Sequence, residues 1–273
     1  MNPGEPRTLR HGAIAAVSLD LDDTLWPVWP TLVAAEQTLT DWLSEHAPAT
    51  AAWLTPENRS ALRQRIVQQF PKRLHDVSWI RHQLLAQALE QSGCDPALAD
   101  RGFDVFLRAR QQVTLYDDVE PLLRRWSDRY RLIAISNGNA DLKTIGLGRY
   151  FSVIISAHQV GMAKPDPAIF QLACREAGLA PSQVCHIGDD IELDYHAARR
   201  AGLQAAWIRR PDLLTRRPHG DACAAAQAID PVTGEPVRVF TNLHELDVHL
   251  DTLGDSSTDQ MVQHASGQPF NPE

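Results

Sequence analysis

Two hydrophobic periodicities divide the chain. Ala13–Leu19 (AIAAVSL) is a continuous apolar run that reads as a buried strand, and it ends on three aspartates, Asp20, Asp22 and Asp23. From Pro27 to Thr114 apolar residues return every three and four positions. Thr31–Leu43 puts Leu32, Ala35, Leu39 and Trp42 on one side, and Arg59–Phe70, Val77–Leu89 and Pro96–Val113 repeat that spacing. No strand pattern interrupts this stretch, which predicts a small bundle of four helical elements.

From Asp118 the texture alternates. Helix Val119–Trp126, strand Arg131–Ile135, helix Ala140–Ile145, strand Phe151–Ile155 and helix Pro167–Ala177 are expected in turn. Strand Gln183–Ile187, helix Ile191–Ala201 and strand Gln204–Ile208 come next, with Val237–Phe240 and Leu243–Leu253 as a closing unit. Short apolar strands separated by amphipathic helices predict an α/β fold, a doubly wound parallel sheet covered on both faces. The helical stretch is then an insertion. Residues 1–27 and 115–254 are expected to form the α/β core, 28–114 the helical insertion and 255–273 a loose tail, like the first dozen residues.

Composition narrows the chemistry more than the fold. A hydrophobic content of 44% and a charged content of 22% over 273 residues are those of a soluble globular protein. A formal net charge of -8 argues against nucleic-acid and anionic-membrane partners. It leaves a small phosphorylated substrate open, since a bound cation reverses the field locally. Cys94, Cys174, Cys185 and Cys223 form no C-x-x-C pair, so neither a zinc site nor a disulfide framework is expected. A reducing cytoplasm is the simpler home. The apolar run after Arg7 and Arg10 is too short for a signal sequence, and no segment approaches the ~18 apolar residues of a membrane span.

Ligands of an open α/β sheet bind outside the carboxyl ends of its strands, so the residues just after each strand matter most. Asp20, Asp22, Asp23 and Thr24 come after the first, and Ser136, Asn137 and Gly138 after the second. Lys164, in AKPDP, comes after the third, and Gly188, Asp189 and Asp190 after the fourth, with Asp194 four residues on. Each has a plain reading: acids that cap turns, a tight turn at Ser136–Gly138, a solvated lysine, an N-cap at Asp190. Together at one rim they compose a site. Clustered carboxylates repel unless they hold a cation or a proton. Mg²⁺ suits one or two carboxylates plus a substrate phosphate. A carboxylate can attack phosphorus to form an aspartyl-phosphate, a lysine neutralises the meeting anions, and a hydroxyl fixes phosphoryl oxygens. A second carboxylate serves as general acid and then base.

The ordered set DLDDT, SNG, KPDP and GDDIELD resembles the four motifs of the haloacid dehalogenase (HAD) superfamily over about residues 13–210, and the insertion resembles its helical C1 cap. The resemblance implies a Rossmann-like core and Mg²⁺-dependent hydrolysis of a small phosphomonoester. It makes Asp20 the nucleophile and a metal ligand, and Asp22 the general acid/base, whose backbone carbonyl also ligates Mg²⁺. Ser136 and Asn137 bind the phosphoryl oxygens, and Lys164 neutralises them. Asp189 ligates the metal, with Asp190 or Asp194 beside it, and Asp23 is a turn residue. Members that break carbon–halogen bonds lack a carboxylate where Asp22 stands, so Asp22 favours phosphate esters over haloacids. A phospho-receiver without turnover is a more distant reading.

A narrower resemblance rests on HDVSWIRHQLL, SNGNADLKTIGLGRYF and HIGDD…AGLQAAWIR. These stretches are similar to the bacterial phosphatase type that acts on 5-amino-6-(5-phospho-D-ribitylamino)uracil, with sugar phosphates, phosphoglycolate and nucleoside monophosphates as alternatives. It places His75, Asp76 and Arg81 either on the substrate or between helices of the insertion. Trp26 and Trp79 read as packing in the core of the insertion, and the oligomeric state stays open between monomer and homodimer.

Overall fold

Among the described residues six strands form the sheet, each where an apolar run predicts it. The computed structural model describes residues 14–211 and 228–255. Its strands are β1 Ala16–Leu19, β2 Arg131–Ser136, β3 Val153–Ser156, β4 Val184–Gly188, β5 Gln204–Ile208 and β6 Val239–Phe240, in spatial order β3-β2-β1-β4-β5-β6. Every neighbouring pair is parallel. β1 lies between β2 and β4, and its last residue, Leu19, pairs with Ala134 on one side and Ile187 on the other. The chain turns back at β1, first to one flank and then to the other, so the ends of β1, β2 and β4 open into one crevice.

Alternation across the strands builds two cores. Val17, Leu19, Leu132, Ala134, Cys185 and Ile187 face one way. Helix α6 (Val119–Ser127) covers them with Leu122, Leu123 and Trp126, beside a C-terminal helix, Leu243–Asp255, that adds Leu246. Ala16, Ile133, Ile135 and Val184 face the other way, under Ile169, Phe170 and Ala173 of the helix Pro167–Ala177. Each fully buried Leu, Ile or Phe contributes about 1.5–3 kcal/mol. Cys185 belongs to the first core, where burial pushes its thiol up to about 12, an inert packing group.

Between β1 and α6 stand five α-helices, one more than the pattern predicts: α1 Val28–His46, α2 Pro48–Trp53, α3 Pro56–Gln69, α4 Val77–Gln91 and α5 Leu98–Arg110, with a 3-10 turn at Pro71–Arg73. The extra one, α2, is too short for a periodicity to show. α1 starts three residues before Thr31, because Pro30 falls in its first turn, where a missing N–H breaks no helical bond. Leu39, Leu43, Leu85, Leu89 and Phe106 make one cluster inside the insertion, and Leu62, Ile66, Ile80 and Ala88 a second. These two clusters contain no residue of the sheet.

Other boundaries shift for physical reasons. The helix expected over Ile191–Ala201 opens as a π-type turn, Ile191–His196, and only Ala197–Arg200 is α-helical. Asp190 opens this turn: its side chain accepts from the N–H groups of Glu192 and Leu193, and its carbonyl from those of both Asp194 and Tyr195. Ala140–Ile145 contracts to one turn, Leu142–Ile145, capped by Asp141. Val237–Phe240 shortens to the two residues of β6. Of the tail expected over 255–273, Asp255 instead ends the helix Leu243–Asp255; the rest of it, the first thirteen residues and Cys223 lie outside the described residues.

Candidate active site

Asp20 leaves β1 into the crevice, 7% exposed. Lys164, one loop beyond β3, is 4% exposed and reaches it: Nζ donates to Asp20 Oδ1 at 2.6 Å and to Asp194 Oδ1 at 2.5 Å. Thr24 Oγ1 donates to the other Asp20 oxygen at 3.3 Å. Burial pushes the Asp20 carboxyl up to about 7, with Lys164 pulling the other way. Burial also opposes the Lys164 ammonium, but the Asp194 and Asp20 carboxylates outweigh it and hold its pKa above the ordinary lysine value. For Asp194 burial would raise the pKa, and Lys164 and His186 hold it well below the usual carboxylate range. One cation thus serves two buried anions of unequal basicity.

The floor of the site is built from β1 and β4. Ser18 and His186 pair across the strands, and Ser18 Oγ lies 2.7 Å from His186 Nδ1, while Nε2 lies 3.2 Å from Asp194 Oδ1. Burial lowers the imidazole pKa, so the ring is neutral at pH 7. Asp194 only accepts, which puts the ring proton on Nε2 and makes Ser18 the donor to Nδ1. The π-type turn swings Asp194 under the end of β4, and a Cβ at Gly188 would overlap its carboxylate. Glycine is required there by close approach.

Asp22 has a separate set of partners. Arg110 Nη2, at the end of α5, donates to both its oxygens at 2.5 and 2.7 Å, and Trp26 Nε1 donates to Oδ1 at 2.8 Å. Arg110 is 1% exposed, and its Nε and Nη1 have no hydrogen-bond partner. A Cβ at Gly138 would fall on Asp22 Oδ2, so the SNG turn needs its glycine to admit that carboxylate. Asp23 takes a left-handed φ of 63° and accepts from the Val28 N–H at 2.9 Å, capping the start of α1. That is a turn residue, as expected.

Ser136 is 3% exposed at the end of β2 and accepts from the Gly138 N–H. The Asn137 side chain does other work than its sequence position suggests. Its amide donates to the Lys164 carbonyl and accepts from the Lys164 N–H, both at 2.9 Å, bracing the lysine loop. Of the expected metal ligands, Asp20, Asp189 and Asp194 come together, with one oxygen of each within 4.8 Å of the others. A divalent cation with oxygen ligands at about 2.0–2.6 Å can bridge that spacing with small shifts. The Asp190 carboxylate is engaged in the turn; the Asp22 carboxylate, expected as acid/base rather than ligand, is engaged with Arg110, which leaves its backbone carbonyl out of that pairing.

A family model described as haloacid dehalogenase-like hydrolase matches residues 14–202. The chain belongs to that family. Among curated HAD-like relatives, the 5-amino-6-(5-phospho-D-ribitylamino)uracil phosphatase YigB of Escherichia coli is 30% identical over 72% of this chain and 84% of its own length. A phosphoserine phosphatase of Thermus thermophilus is 33% identical over 48% of this chain and 55% of its own length. A crystal structure described as a 2-haloacid dehalogenase from Pseudomonas syringae superposes with a TM-score of 0.75 at 34% identity, covering 88% of this chain and 99% of that one. The family and the named relatives support a phosphatase enzyme acting on small phosphorylated substrates. No helix among the described residues is long and apolar enough to cross a membrane.

In this HAD-like chain the insertion residues divide. Arg81 pairs with Glu36 and lines a cavity that begins at Asp22. Asp76 caps α4 through the Trp79 N–H at 2.9 Å and does not line that cavity, nor does His75. Trp79 packs inside the insertion as expected, whereas Trp26 packs in the core under the sheet and donates to Asp22. Ser18, His186, Arg110, Glu36 and Arg59 escape a reading of the sequence alone. A histidine inside the apolar run QVCHI is the one available signal, since a buried ring must find partners.

Proposed function

We propose that this chain is a phosphomonoesterase that works through an aspartyl-phosphate on Asp20. The observation that carries the reading is the meeting of Asp20 and Lys164 at 2.6 Å, at a strand end that also supplies Asp22. The Asp20 carboxylate attacks phosphorus, and Lys164 balances the charge of the two anions. The Ser136 hydroxyl holds a phosphoryl oxygen, while Asn137 positions Lys164 by its backbone. Asp22, oriented by Arg110 and Trp26, protonates the leaving oxygen and later takes a proton from the attacking water. Mg²⁺ on Asp20, Asp189 and Asp194 would screen the negative charge gathered there. The helical insertion acts as a cap that shields this chemistry from solvent.

Among substrates, 5-amino-6-(5-phospho-D-ribitylamino)uracil is favoured by the YigB relative, which the chain matches over most of that protein's length. Haloacid hydrolysis is the second reading, raised by the Pseudomonas syringae structure. Asp22 argues against it, because a departing halide needs no proton and the fold commits Arg110 and Trp26 to this carboxylate. Release of phosphate and of chloride, from the ribityl ester and from 2-chloropropionate, separates the two. Phosphate release abolished by EDTA and restored by Mg²⁺ is expected; chloride release, or full phosphatase activity in excess EDTA, contradicts the proposal.

A further inference from the structure

The cavity beside Asp22 bears on the leaving group, a role that rests on the phosphatase reading. It holds about 300 Å³ and extends from Asp22 and Gly138 at the strand ends to Glu36, Arg59 and Arg63 on α1 and α3. Small-molecule sites run from about 300 to 1,000 Å³, so the space admits far more than a two-carbon leaving group. Leu32, Ile80, Leu84 and Phe106 make its sides apolar. A strongly charged group lodged midway would lose its hydration without a partner.

The far end has another character. Glu36 Oε2 accepts from Arg59 and Oε1 from Arg81, so one carboxylate fixes two guanidinium groups. Arg81 also lies over the Phe106 ring, 3.7 Å from its centre. Each arginine gives one Nη1 to Glu36 and has further N–H groups in the same plane. Exposed Arg63 completes this end. Four arginines thus face two carboxylates, Asp22 and Glu36, around this one cavity, in a chain of formal net charge -8. A guanidinium fork matches a pair of oxygen acceptors better than any other group.

We propose that this cavity selects phosphomonoesters with an elongated leaving group ending in a planar terminus with two oxygen acceptors. Arg59 and Arg81 bind that terminus, and Glu36 holds the two guanidinium groups in place. A carboxylate meets it with both oxygens on a guanidinium fork, and a cyclic imide such as uracil with one carbonyl on each arginine and its N–H toward Glu36. Glycolate does not satisfy it, because its carboxylate sits beside the ester, at the wrong end.

Four esters test the proposal: hexyl phosphate, 5-carboxypentyl phosphate, 5-(uracil-1-yl)pentyl phosphate and 2-phosphoglycolate. The acceptor-ended long esters should exceed hexyl phosphate in kcat/KM by about 10–100-fold, chiefly through KM, with 2-phosphoglycolate below them. The larger of the two long-ester values identifies the terminus. Arg59→Met and Glu36→Gln should each bring the ratio close to one. Equal rates for hexyl and acceptor-ended esters, a preference for 2-phosphoglycolate, or a ratio that survives both substitutions overturns it. The wild-type ratios decide the matter even if a variant fails to fold. Turnover without discrimination removes this inference alone, whereas no phosphate from any of the four or from p-nitrophenyl phosphate removes the phosphatase reading.

Discussion

The strand-end rim and the cavity of the insertion are both charged, but they are assembled differently. At the rim, Asp20, Ser136 and Asp189 stand within one residue of a strand end, so backbone pairing sets their positions. In the insertion, Glu36 meets Arg59 across 23 residues and Arg81 across 45, and these contacts exist only once helices have packed. The rim is therefore intolerant of small backbone changes, and the cavity is open to variation in its side chains. The proposed chemistry sits on the first kind of scaffold and the proposed selection on the second.

The sharpest way to break the comparison is Gly188→Ala. The added methyl meets Asp194 at the end of a central strand, so activity should fall by at least about 100-fold and the melting temperature should drop as well. Activity within about threefold of wild type would mean that the rim is not rigid. Arg110→Gln comes next, because Arg110 is the insertion's one direct hold on Asp22 among the described residues. It should lower kcat on alkyl phosphates by about 10–100-fold, and on p-nitrophenyl phosphate much less, since that leaving group needs little protonation. Equal losses on both would show that Arg110 only supports packing.

The smallest effect is on stability against pH in metal-free protein. Asp20 has a folded pKa of about 7, above the ordinary 3.8, so the folded state binds the extra proton between those values. Stability from this group is present at low pH and is lost as pH rises toward about 7. His186 works in the opposite direction, because its depressed pKa makes folding less favourable as pH falls below the ordinary histidine value of 6.5. The clean readout is a difference. In EDTA, the gap in melting temperature between Asp20→Asn and wild type should widen from pH 5 to pH 7.5 in favour of the variant. A gap independent of pH would contradict the assigned burial.

Legibility in the sequence divides along the same line. The alternation of strands and helices, the parallel sheet and the rim residues can be read because each depends on neighbours within a few positions. The pairing order β3-β2-β1-β4-β5-β6 cannot, since no local pattern states which strand a strand joins. Nor does the sequence choose between Asp190 and Asp194 as ligands; the π-type turn that sends Asp194 inward and spends Asp190 on capping has no periodicity to betray it. Arg110 is hidden among Arg101 and Arg108 of the same helix, and only the packing of α5 singles it out. Glu36 reads as an ordinary helix-surface acid.

In the proposed mechanism Asp20 carries the phosphoryl group during turnover. Rapid acid quench of wild-type protein with substrate, with peptide mass analysis of the quenched protein, addresses it directly. A phosphoryl adduct on the peptide containing Asp20, formed within one turnover and absent in Asp20→Asn, is the predicted result. Steady phosphate release with no adduct on that peptide, or an adduct that persists in Asp20→Asn, would contradict it.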